Sequence, residues 1–522
     1  MIKKLQKLLI DNIGIIVILV IAVCLRFIAL GEYPAGTYTD EAYGAFLAKG
    51  LLTSGIDDRG YRFPVYFVAW GSGMNALYSY LGMICFKLWG ISLTVYRIPQ
   101  ALFGVIGIFS LYVICRQLFD KKFALLASFV LTVTPWHVMM CRFGLESNLA
   151  PNMFLIALMF LVLGLKQKHI YLVLSAVFLG LTLYCYAITW VMIPLFFLIC
   201  IFFCWKWIPH EKITIIFIAI LFVMALPLLL FLAINLNFLP EICTPWFSIP
   251  KLTGFRGGEL SLGNIVDGIK QFINIVFAEQ GDGKNLLSSL STGSYYYFTT
   301  PFMIFGLVHH VVTLLRNYQH GKNELSLVFP AWLFSASIMS IVNVELTMIH
   351  INMVHIPIIF YGVYGVCQLA RLLQNKLIIP ACVCFWAISC AFFVDDYVTS
   401  DNGYFYGEEP YEAVVRAKEI AGEEDTITFF GYSTYKFTNF LWREQFDVAD
   451  YSENAVLDNN PLFVELYEYK NYRYITDLSF DGVTVDGGVY ILFANRMDDF
   501  AIRGFEVERV NETYAVAAKN IP

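Results

Sequence analysis

Three observations predict a polytopic α-helical membrane protein that carries a small C-terminal α/β domain. Long apolar runs recur from Leu9 to about Val394 in a 522-residue chain that is 58% hydrophobic and 15% charged, whereas an ordinary soluble domain carries about a quarter charged residues. Short Lys/Arg clusters separate many of those runs. From residue 396 onward the composition changes abruptly, to 24 acidic against 10 basic side chains. The whole chain has a formal net charge of −6, so residues 1–395 are net basic, as cytoplasmic loops require. The acidic tail argues against nucleic acid as a partner.

The elements follow from span length, about 20 apolar residues, and from the preference of Lys/Arg for the cytoplasmic side. The start, Met1-Ile-Lys-Lys-Leu-Gln-Lys7, resembles a signal peptide, but its apolar run is too long and no small-residue cleavage site follows. It reads as an uncleaved first span, residues 9–30, leaving from Lys3, Lys4 and Lys7 toward the outside. Residues 31–93 form the first outer loop. Within it, 75–89 is short and interrupted by Lys87. As a span it would place Arg116, Lys121 and Lys122 outside, so it is read as a juxtamembrane helix. Ten further spans are expected at 94–115, 123–140, 149–165, 170–187, 190–205, 213–234, 298–315, 325–343, 351–370 and 377–394. The result is eleven spans, a cytoplasmic N-terminus, a long outer loop at 235–297 and an outer C-terminal domain at 396–522.

In that tail, strands are expected at Thr426–Gly431, Tyr472–Ile475, Gly488–Ala494 and Phe505–Val510, with a helix at Glu409–Ala421. The tail shows no phosphate-binding glycine pattern, and it reads as a solvated accessory domain. All 12 cysteines precede it, most of them inside apolar runs, where Cys serves as a small hydrophobe. No paired CxxC spacing marks a metal, and a Cys-free outer domain points to a bacterial cell membrane.

This topology gathers polar groups on one outer face: Asp40 and Glu41, Arg97, His137 with Arg142 and Glu146, Lys251 with Arg256, and His350 with Asn352. Ionisable residues at membrane boundaries are either anchors or functional, and their convergence separates the two. A lone Arg near a helix end more often snorkels. Tyr78, Trp70, Trp246 and Tyr295–Phe298 fit an interfacial aromatic belt as well as a ligand wall. These patterns alone define a membrane protein with an outward polar site.

The motif Pro34-Ala-Gly-Thr-Tyr-Thr-Asp40-Glu41-Ala-Tyr43, then Phe63-Pro64-Val-Tyr-Phe67 and Tyr96-Arg97-Ile-Pro99, resembles the membrane glycosyltransferases of GT-C fold. The nearest likeness is to the protein O-mannosyltransferase and lipid A aminoarabinose transferase branches. Pro135-Trp136-His137 and Arg142-Phe-Gly-Leu-Glu146-Ser-Asn148 add to it, as does the eleven-span layout over residues 10–395. The resemblance implies that Asp40 is the catalytic carboxylate, with Glu41 beside it. Glu146 falls where the aminoarabinose branch usually has Asp. His350 stands where the family often has a basic residue for the lipid phosphate, which implies phosphate binding there that is weaker or pH-dependent.

It further implies a polyprenyl-phosphate sugar donor and an extracytoplasmic acceptor hydroxyl, which Asp40 deprotonates as an inverting base. Arg97, Arg142, Lys251, Arg256 and His350 are the candidates for stabilising the departing phosphate, with His137, Glu146 and Asn352 completing the donor site. No cofactor is assigned; a divalent cation on Asp40 or Glu146 is a candidate. A transporter or flippase of lipid-linked sugars is the alternative, although no internal repeat or mid-membrane ionisable cluster supports it. A non-catalytic partner subunit is the other.

Overall fold

In the computed structural model, residues 2–71, 73–209, 212–254, 265–283, 287–289, 291–322, 324–341, 346–399, 411–422, 425–431, 437–459, 464–476, 479–480 and 483–522 are described. Helix α1 (Ile2–Phe27) is followed by the shorter helices α2 (Thr39–Thr53) and α3 (Leu77–Trp89). Next come α4 (Leu93–Leu118), α5 (Lys121–Val133), α6 (Pro135–Cys141), α7 (Glu146–Lys166), α8 (Tyr171–Leu183), α9 (Thr189–Cys204) and α10 (Lys212–Asn235). The bundle is completed by α11 (Ile265–Ile273), α12 (Thr300–Gln319), α13 (Val328–Ile341), α14 (His355–Leu372) and α15 (Ile378–Thr399). Among the described residues, seven helices are long and apolar enough to cross a membrane: α4, α7, α9, α10, α12, α14 and α15. The chain is therefore a multi-pass membrane protein. α7 and α14 are the most enclosed of the seven, while α10 and α15 expose most of their surface, as lipid-facing helices do.

The span expected at 123–140 is broken. Pro135 starts a new helix, and Thr134 before it is extended at φ −67°, ψ 128°. Proline offers no N–H and disfavours helical backbone at the preceding residue, so α5 stops there and α6 begins at a new angle. Local capping matches the sequence elsewhere. The Ser92 hydroxyl accepts from Val95 N–H at 3.3 Å at the start of α4, and the Asp120 carboxylate accepts from Phe123 N–H at 2.8 Å at the start of α5. Two short hairpins lie in loops between helices. The first pairs β1 (Tyr66–Phe67) with β2 (Met74–Asn75), and the second pairs β3 (Ile242–Cys243) with β4 (Ser248–Ile249). They meet where Val65 N–H donates to Ser248 O at 3.0 Å.

The C-terminal domain has helices α16 (Tyr411–Ile420), α17 (Phe437–Arg443), α18 (Val448–Asn454) and α19 (Met497–Ala501). Its strands are β5 (Ile427–Phe430), β6 (Val456–Asn459), β7 (Val464–Tyr469), β8 (Tyr472–Ile475), β9 (Val489–Phe493), β10 (Glu506–Arg509) and β11 (Tyr514–Ala518). They form one mixed sheet, ordered β10-β11-β9-β5-β8-β7-β6. β5 pairs in parallel with β8 and β9, and the remaining pairs are antiparallel. The four expected strands and the helix are present. β6, β7 and β11 are additions, and β11 is alanine-rich, with weak strand propensity.

This domain is more than a solvated appendage. Phe46 of α2 packs in the same buried cluster as Val414, Leu441 and Val448, and Trp442 stacks on Phe86 with ring centroids 5.9 Å apart. α17 thus lies on the helix that carries Asp40.

Candidate active site

Asp40 and Glu41 sit in the first turn of α2, where a carboxylate is favoured by the helix dipole. Successive helical residues point about 100° apart, so the pair is divided between two environments. Glu41 is fully buried. Its Oε1 accepts from Arg97 Nε at 2.8 Å and from Gly144 N–H at 2.7 Å, and its Oε2 accepts from Arg97 Nη2 at 2.8 Å. Arg97 is equally buried, and its remaining N–H groups donate to the carbonyls of Leu30, Pro34 and Gly36 at 2.8–3.2 Å. One guanidinium thereby ties the end of the first span region, the loop and the start of α2 together. Gly36 takes φ +70°, open to glycine at no steric cost. A Cβ on Gly144 would meet Tyr96 at 2.9 Å and the Glu41 carboxylate at 3.1 Å, so glycine permits that close approach.

Asp40, by contrast, is half-buried. Its charge acts on Glu146, the first residue of α7, whose carboxylate also accepts from the backbone N–H groups of its own first turn. Glu146 Oε2 is buried without a hydrogen-bond partner among the described residues. Two helix N-termini therefore aim carboxylates at one place. Tyr66 and Tyr186 join them, since both carboxylates and Tyr66 act electrostatically on Tyr186. An aromatic wall continues from Tyr66 to Phe231 at 4.5 Å and to Trp190 at 5.7 Å.

The other expected residues divide. Asn352 reaches this region: its Nδ2 donates to Asn148 Oδ1 at 2.8 Å, two residues past Glu146, and its Oδ1 accepts from Trp136 Nε1 at 3.3 Å. His350 is half-buried in the same segment. Lys251 is exposed beside Leu252, which meets Tyr66 around Gly73. Arg256 lies outside the described residues.

Four expected residues need correction. Glu41 and Arg97 are spent on each other and on the loop, so neither faces a ligand. Arg142 donates to the carbonyls of Leu25, Ile28, Ala29 and Tyr33 at 2.9–3.0 Å and holds the same loop, because the end of a helix leaves carbonyls without partners. His137 is buried with both ring nitrogens engaged, one by Arg26 Nη2 at 2.6 Å and the other by Asn152 Oδ1 at 3.1 Å. These side chains are engaged within the fold. Arg26 and Tyr186 escaped the sequence reading, because each sits at or beside an apolar run and carries no motif of its own. Tyr66 lay inside the quoted Phe63–Phe67 stretch, where its Pro-aromatic context was the available signal.

As to a metal, no three His, Cys, Asp or Glu side chains converge among the described residues. Asp40, Glu146 and the partnerless Oε2 would supply oxygen ligands from two residues only, fewer than a dedicated cation cage uses.

A helical membrane bundle followed by a C-terminal mixed sheet is a fold this chain shares with solved structures of GT-C type. The particular likeness is to ArnT from Cupriavidus metallidurans. Its apo crystal structure superposes with a TM-score of 0.60 at 12% identity, over 97% of this chain and 98% of that one. Its undecaprenyl phosphate complex gives 0.57 at 13%, over 98% of both chains. The oligosaccharyltransferase of Archaeoglobus fulgidus, tethered to an acceptor peptide, gives 0.55 at 12%, over 83% of this chain and 63% of that one. Residues 76–231 match the family model described as dolichyl-phosphate-mannose-protein mannosyltransferase. No curated protein matches the chain in sequence. The resemblance to membrane glycosyltransferases of GT-C fold, read from the sequence, is borne out.

Proposed function

We propose that this protein transfers a sugar from a polyprenyl-phosphate donor to an acceptor hydroxyl on the extracytoplasmic side, with Asp40 as general base. The observation that carries this reading is the division of the Asp40-Glu41 pair. Glu41 is locked to Arg97, while Asp40 stands half-buried opposite Glu146 at two converging helix starts. The acceptor O–H gives its proton to Asp40 as its oxygen bonds to the anomeric carbon, and the carbon–oxygen bond to the polyprenyl phosphate breaks with its electron pair on the phosphate. One carboxylate and no covalent intermediate invert the anomeric centre. Glu146 accepts from a sugar hydroxyl through its partnerless Oε2, Tyr186 donates, and Tyr66, Trp190 and Phe231 offer faces for stacking. Lys251, Arg256 and His350 are the cations for the departing phosphate.

The same reading places the N-terminus inside and both the carboxylates and the C-terminal domain outside, with eleven crossings made up of the seven long helices together with α1, α5–α6, α8 and α13. The domain division at 395/396 belongs to it as well. The test is Asp40→Asn protein in proteoliposomes given radiolabelled polyprenyl-phosphate sugars and membrane extract as acceptor. Positioned base catalysis is worth about 10²–10⁴-fold, so transfer should fall by that factor. Transfer at the wild-type rate removes Asp40 from the mechanism.

A further inference from the structure

Two apolar cavities flank α9 at the end of the bundle away from the carboxylates. One, about 270 Å³, lies between α9, α12 and α13 and is walled by Phe203, Val311, Leu315 and Phe334. The other, about 450 Å³, lies between α7, α8, α9 and α10 and is walled by Leu165, Phe197, Ile201 and Phe217. Cys204 borders both. Between them α9 turns an apolar face outward, with Leu198 and Phe202 about two-thirds exposed. In a membrane-spanning helix such a face meets hydrocarbon.

The mouth of the smaller cavity distinguishes it from ordinary lipid contact, because Tyr318, Lys322 and Glu324 line it. Their placement is built into the chain. α12 ends in a left-handed Gly321 at φ +72°, and Lys322 N–H donates back to Asn317 O at 2.9 Å, which is the closing bond of a Schellman cap. The Glu324 carboxylate is held by Asn317 Nδ2 at 2.5 Å and by the Ser326 hydroxyl at 3.4 Å, and Glu324 O accepts from Cys204 Sγ at 3.6 Å. A fixed carboxylate and an ammonium two residues away thus stand at the opening of paired apolar grooves.

We propose that this is a binding site for a zwitterionic aminophospholipid. Its two chains fill the cavities on either side of α9, its phosphate meets Lys322, and its primary ammonium donates to Glu324. The paired charges select this headgroup. A purely anionic lipid would set negative charge against Glu324, and a choline headgroup has no N–H to donate. The site is independent of the sugar-transfer reading, since it lies at the other end of the bundle and its test involves no turnover.

The experiment gives the purified full-length protein equal amounts of phosphatidylethanolamine, phosphatidylglycerol and phosphatidylcholine in detergent and reads the retained lipid by native mass spectrometry. Phosphatidylethanolamine should be retained in roughly tenfold preference, the yield of one charge-assisted hydrogen bond. Glu324→Gln should abolish its advantage over phosphatidylglycerol. Lys322→Gln should lower retention of all three. Unchanged helical circular dichroism and melting show that both variants fold. Equal retention of the three lipids by wild type means bulk solvation and overturns the proposal. So does a preference for phosphatidylglycerol, or a preference for phosphatidylethanolamine that survives Glu324→Gln.

Discussion

Glu41→Gln tests the central structural claim, that a buried ion pair rather than a second catalytic acid occupies this position. The substitution keeps the side-chain shape and removes the charge. Arg97 then remains fully buried, with its guanidinium facing a neutral amide and three backbone carbonyls. Removing one partner of a buried pair costs about 3–5 kcal/mol, because the other charge is left uncompensated. The amide also cannot accept from Arg97 through both of its end atoms, so one of the two bonds to the guanidinium is lost. The loss should appear as a clear fall in melting temperature in detergent. Because Arg97 fixes Leu30, Pro34 and Gly36 ahead of α2, transfer activity should fall with it. Replacing both members together, as Glu41→Leu with Arg97→Met, should recover stability only in part, since the three loop carbonyls then lose their donor. Asp40→Asn provides the contrast, with melting close to wild type and activity lost. If Glu41→Gln melts like wild type, the ionised pair does not hold the loop.

Further outcomes follow from neighbouring contacts. Lys49 Nζ donates to the carbonyls of Gln445 at 2.5 Å and Phe446 at 3.0 Å, just past α17, so Lys49→Met should loosen the C-terminal domain by about 1–2 kcal/mol. Limited proteolysis would then release the tail sooner, and an unchanged digestion rate would refute this role. Gly144→Ala should destabilise by about 1–3 kcal/mol, because its methyl group meets Tyr96 and Glu41; a melt equal to wild type would count against the packing described. Asp57 and Asp58 are both buried; burial raises Asp58, and burial together with the charge of Asp58 pushes Asp57 up to about 8. The folded state therefore keeps a proton that the unfolded chain loses near pH 4, and stability should fall as pH rises from about 4 to about 8 and level off above. Asp57→Asn should flatten that slope in melts across the range; a slope unchanged by the substitution would locate the titration elsewhere.

Much of this was legible in the chain. Membrane class, the positions of the apolar helices and four strands of the tail follow from local composition, because burying a helix or strand face requires a run or alternation visible within a short window. The misses have local causes too. The strand Tyr514–Ala518 contains three alanines among its five residues and lacks the β-branched signature. The segment Val464–Tyr469 alternates, but its acidic residues resemble the solvated face of the tail. Residues 123–140 read as one apolar run, and Pro135 divides them.

The roles within the site were not legible in that way. Adjacency made Asp40 and Glu41 look like a pair of equals, and resemblance alone favoured the first. Only the folded chain separates them. It brings Arg97 from 56 positions away and Gly144 from 103 positions away to bond Glu41, and it sets Asp40 against Glu146, Tyr66 and Tyr186. The same packing turned Arg142 and His137 from candidate phosphate ligands into supports, and it seated the C-terminal domain on α2. Burial and partner geometry depend on residues distant in sequence, while hydropathy is a property of neighbours. By itself, then, the sequence determined the membrane class and where the long apolar helices run; which of the two carboxylates is buried in an ion pair was decided by long-range packing around one guanidinium.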